Sequence, residues 1–68
     1  MKETVKKVMN RWREYTPSLL VQGHSHDEIV DAMISELDGW SHIKGFANTK
    51  EYKALKMRIL SQRNREAA

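Results

Sequence analysis

The chain has 68 residues, with 12 Lys and Arg against 9 Asp and Glu, no cysteine and a formal charge of +3. A chain of this size buries only roughly 60% of the surface it exposes when unfolded, so its core is one thin layer and a deep enclosed cleft is not expected. Thiol nucleophiles, disulfides and Cys-based zinc sites are excluded, and no apolar run reaches the length of a signal peptide or membrane span, so the expected location is cytoplasmic and away from the membrane.

Residues 3–15 place Val5, Val8, Met9 and Trp12 on one helical face and Lys6, Lys7, Arg11 and Arg13 on the others, which predicts a first amphipathic helix. Thr16 and Pro17 read as an N-cap and first-turn pair, predicting a kink or a new helix that carries Leu19-Leu20-Val21 and stops at Gly23. Ser25-His-Asp-Glu28 has capping-box spacing, the strongest local signal in the chain. It opens a helix with Ile29, Val30, Ala32, Met33, Ile34 and Leu37 on a broad stripe, expected to end at Gly39.

The stretch from Trp40 to Ala47 has large apolar side chains without periodicity and reads as a packed connector in which Gly45 supplies a turn. Asn48-Thr-Lys-Glu51 predicts a second capping box and a last helix over about 49–65, with fraying from about residue 63. No segment alternates with period two. The expected class is therefore all-α: a single domain over 1–68, a small bundle of three to four short helices. Val8, Trp12, Ile29, Met33, Leu37, Leu55 and Ile59 are expected to share its core. With no covalent staple and so thin a core, completion by homodimerisation is expected, with Trp40 and Phe46 as the contributing aromatics.

Charge is segregated along the chain: the segments 1–15 and 49–68 are net basic, and 16–48 is net acidic. One reading turns the basic end helices toward nucleic-acid phosphates through Lys6, Lys7, Arg11, Lys53, Arg58 and Arg63, with the acidic helix facing away. The other lets the basic outer helices flank and attract the acidic middle one.

The string Leu19-Leu-Val-Gln-Gly-His-Ser-His-Asp-Glu-Ile29 resembles the helix end, turn and helix start of some bacterial helix-turn-helix regulators, over roughly a sixth of the chain. Downstream the pattern departs, because the next helix starts far from that turn and Trp40 to Ile43 matches a recognition helix poorly. A helix stop followed by a capping box accounts for the same residues, so no family membership follows.

His24, His26, Asp27 and His42 carry zinc-binding and proton-transfer chemistry, but their spacing matches no metal signature, and a solvated helix cap explains the first three. Ser25 already has a role as a cap. The sequence therefore predicts a small non-enzymatic regulatory protein without cofactor or metal, contacting DNA, RNA or the transcription machinery. The alternative is a protein-binding adaptor or inhibitor that works through helix-groove contacts or as a homodimer.

Overall fold

A computed structural model describes residues 1–67, and their side chains as far as Arg63. The expected frayed tail falls partly beyond that limit, as does the side chain of Arg65. Three helices follow one another: α1 (Lys2–Val21), α2 (His26–Lys44) and α3 (Lys50–Ala67). There is no strand among the described residues, and no described helix is long and apolar enough to cross a membrane.

α1 runs straight through Pro17 instead of restarting there. Pro17 cannot donate to the carbonyl of Arg13, which removes one rung of the helix, while its fixed φ still suits helical backbone. A fresh start at Thr16 would instead have orphaned several N–H groups. Thr16 is accordingly not a cap: its hydroxyl donates back to the Trp12 carbonyl at 2.7 Å. The helix ends where expected. Gly23 takes φ +101°, its N–H donates to Leu20 O at 3.1 Å and the His24 N–H to Leu19 O at 3.0 Å, the paired bonds of a Schellman motif.

The capping box at the start of α2 forms as the spacing predicts. The Glu28 N–H donates to Ser25 Oγ at 3.1 Å, and the Ser25 N–H donates to Glu28 Oε1 at 3.4 Å. The other end of α2 corrects the sequence reading, because the helix passes Gly39 and closes only at Gly45, which has φ +82°. Three consecutive amides, of Gly45, Phe46 and Ala47, converge on the carbonyl of Ser41. Ser41 is itself buried and its hydroxyl donates to Asp38 O at 2.6 Å.

The last junction is shifted by one residue from the expected box. Thr49 is the cap, its Oγ1 accepting the Tyr52 N–H at 3.3 Å while its hydroxyl donates to Phe46 O at 2.8 Å. Glu51 is left in the first turn, where the helix dipole favours a carboxylate. α3 then continues past the residue at which fraying was expected.

Val5, Val8, Ile34, Leu37, Phe46, Tyr52 and Ile59 form the core, with Met9, Trp12, Val30, Met33, Leu55 and Leu60 packed around it. Val8, Leu37 and Ile59 sit in it as expected, whereas Trp12, Met33 and Leu55 occupy its edge. Ile29 is buried outside this cluster, lining a depression with Trp12 and Leu19. α2 is the central element: both outer helices pack on it, and the backbones of α1 and α3 do not approach each other within 8 Å (Cα to Cα) among the described residues.

Candidate functional site

The separation of α1 from α3 opens a groove of about 910 Å³ along one side of the molecule. Its floor is apolar. Val5 and Met9 line it from one turn to the next of α1, Ala54 and Leu55 line it from α3, and Met1 also lines it. The walls are mostly cationic. Lys2, Lys6 and Arg13 stand on the α1 side with Asn10, and Arg58 stands on the α3 side with Glu51. The lining positions 51, 54, 55 and 58 recur with helical period, so the groove is bounded by one continuous face of each helix. None of the four cations is paired with a carboxylate among the described residues.

A second, smaller cleft of about 210 Å³ lies at the α1–α2 seam, lined by Thr4, Lys7, Val8, Arg11, Trp40 and Lys44. The Lys44 ammonium stands 5.9 Å from the centroid of the Trp40 ring, within cation–π range. Trp40 is 37% exposed, and its indole N–H donates to Glu36 Oε2 at 3.3 Å. Glu36 also accepts from Trp12 Nε1 at 3.0 Å and from Arg11 Nη2.

The six basic residues singled out from the sequence are thus dispersed. Lys6 and Arg58 face each other across the large groove, and Lys7 shares the small cleft with Arg11. Lys53 lines a separate depression with Asp38, His42 and Lys56. Two of the six are engaged by α2: Arg11 by Glu36, and Arg63 by Asp31 and Asp27, with Nε–Oδ1 separations of 3.3 and 3.7 Å. The acidic helix does not face away from the basic ones; it lies between them and pairs with both.

Phe46, expected at an interface, is 6% exposed and packs edge-to-face on Tyr52 at a centroid distance of 5.3 Å. The groove floor was hidden from sequence reasoning because Met9 and Leu55 have the same helical spacing as core residues. Lys44 also escaped notice, although its position four residues after Trp40 on one helix is a readable signal.

Three titratable groups are perturbed by their neighbours. The hydrogen bond from Tyr52 and the nearby Lys56 hold the Asp38 carboxyl below its ordinary range. Burial, then the hydrogen bond to Asp38, pushes the Tyr52 phenol up to about 12. Glu28 is lowered by a side-chain hydrogen bond with His24, whose Nδ1 lies 3.2 Å from Glu28 Oε2, and next by the Ser25 amide. Among the described residues no three His, Asp or Glu side chains converge in a way that could hold a metal ion.

Fold and groove together define a three-helix bundle with an open side. Comparison of the chain with protein-family models, with curated proteins and with solved structures finds no match.

Proposed function

We propose that this is a small regulatory binding protein, without a catalytic step, that takes a helical segment of a protein partner into the groove between α1 and α3. The observation that carries this reading is an open groove floored by half-buried Met9 and Leu55, which exists because the backbones of α1 and α3 stand apart on either side of α2. A fourth helix laid in that gap would bury Met9 and Leu55, in the helix-in-groove mode of recognition. Photo-crosslinking residues placed at the exposed positions Asn10 and Ala54, in the native cell, test it. The expected adducts are degraded by protease, resist nuclease and are missing when the same residue replaces Ser35 on α2. Equal adducts from Ser35, or nuclease-sensitive ones, would contradict it.

A second reading, contact with nucleic-acid phosphates, is favoured by one observation, the small cleft in which Lys7, Arg11 and Lys44 surround Trp40. With Arg11 held by Glu36, Lys7 and Lys44 neutralising two phosphates predict a slope of log affinity against log salt of about −2 on duplex DNA, shallower than the roughly −5 expected had all six basic residues shared one surface. Lys7→Glu is expected to weaken binding to all sequences alike.

A further inference from the structure

We infer that the segment received by the groove is an acidic amphipathic helix, with its apolar stripe on Met9 and Leu55 and its flanking carboxylates on the cationic walls. This rests on the groove reading proposed above and adds the chemistry of the occupant. The walls present Lys2, Lys6, Arg13 and Arg58 against a single carboxylate, Glu51. A neutral helix seated on the floor would strip water from those four cations and give them nothing in return, whereas an acidic one pairs them as it covers the floor.

The spacing suits a helix. Lys2, Lys6 and Arg13 stand along α1 with separations of about 6 Å and about 10 Å at the helical rise of ~1.5 Å per residue, which carboxylates on successive turns of a partner helix can match. A second copy of this chain does not meet the requirement. Two grooves brought face to face would oppose the same four cations on each side, and like charges in juxtaposition are strongly disfavoured. The most acidic element, α2, has Asp27, Asp31, Glu36 and Asp38 already engaged with cations of its own chain. Duplex nucleic acid would satisfy the cations but has no apolar stripe to cover the floor.

Three synthetic helices of about five turns, with one apolar stripe and flanks of Glu, Gln or Lys, provide the test, read by fluorescence anisotropy with the full chain. Duplex DNA is the fourth probe. At about 50 mM salt the Glu helix is expected to bind about tenfold more tightly than the Gln helix, the product of several exposed pairs each worth a small factor. The advantage should shrink at about 300 mM salt, where surface charges are screened.

The double variant Lys6→Glu/Arg58→Glu should reverse the preference toward the Lys helix. Lys2→Glu should move it the same way and keeps the test decisive if the double variant unfolds, since a carboxylate in the first turn of α1 favours the helix. Equal binding of the Glu and Gln helices would overturn the acidic occupant and leave the groove reading standing. Binding of DNA with none of the three helices bound would overturn both, and binding of no probe at all would overturn the acidic occupant.

Discussion

The two seams of the bundle are built from the same parts to different depths. At each, one carboxylate of α2 accepts from an aromatic donor and a cation of an outer helix: Glu36 from Trp12 and Arg11 of α1, Asp38 from Tyr52 and Lys56 of α3. Tyr52 is 3% exposed and stacked edge-to-face on buried Phe46, whereas Trp12 lies at the margin and its edge-to-face neighbour, Tyr15, is half exposed. The carboxylates themselves are comparably accessible. The seams therefore differ in the burial of the aromatic partner and not in the ion pair, and exposed ion pairs contribute little to stability. The α2–α3 seam should therefore be the more sensitive of the two to loss of its aromatic donor.

Breaking both seams together has the largest expected effect. Leu37, 1% exposed, lies in the core shared by all three helices, and Leu37→Ala is expected to cost about 2–5 kcal/mol in denaturant unfolding. A loss under about 0.5 kcal/mol, the scale of a surface substitution, would show that it does not lie in a common core.

Splitting the seams comes next. Tyr52→Phe keeps the packing and removes the hydroxyl that serves Asp38, for an expected cost of about 1–2 kcal/mol. Glu36→Gln, which keeps one acceptor oxygen for the Trp12 indole and gives up the exposed contacts with Trp40 and Arg11, is expected to cost less than about 1 kcal/mol. The reverse order would show that the outer ion pair matters more than the buried aromatic.

The pH dependence sharpens the same contrast. The Tyr52 phenol holds its proton to about 12 in the fold against an ordinary value of 10.0, so the stability it contributes is complete below pH 10 and lost as pH rises from there toward 12. Asp38 is lowered from 3.8, so its contribution is present above that pH and lost as pH falls through its value in the fold. Unfolding midpoints measured at pH 7, 9, 11 and 12 should decline more steeply above pH 10 for the natural chain than for Tyr52→Phe. Parallel declines would detach the tyrosine from the effect.

The smallest expected change is a gain. Gly39 lies within α2 at an exposed position, and an added Cβ would meet nothing within 4 Å. Gly39→Ala is therefore expected to stabilise the fold by about 0.5–1 kcal/mol in thermal or denaturant unfolding. Destabilisation would mean that α2 has to bend there.

What the amino-acid sequence determined by itself is what depends on neighbours within a few residues. The Ser25–Glu28 box, the stop at Gly23, the turn at Gly45 and the amphipathic stripes are legible because their hydrogen bonds and periodicities close over one or two turns. Where two local solutions compete, tertiary packing decided. Both Gly39 and Gly45 could end α2, and the later one prevails in a structure where Ser41 is buried against the core and gathers the closing amides. Asn48 and Thr49 could both cap α3, and Thr49 is the one that also reaches Phe46. Pro17 could start a helix or be carried within one, and continuation cost only one rung. The groove has no local signature at all. Met9 and Leu55 carry the spacing of core residues, and what leaves them at an open face is that the backbones of α1 and α3 stand apart on either side of α2, a relation between residues more than forty positions apart.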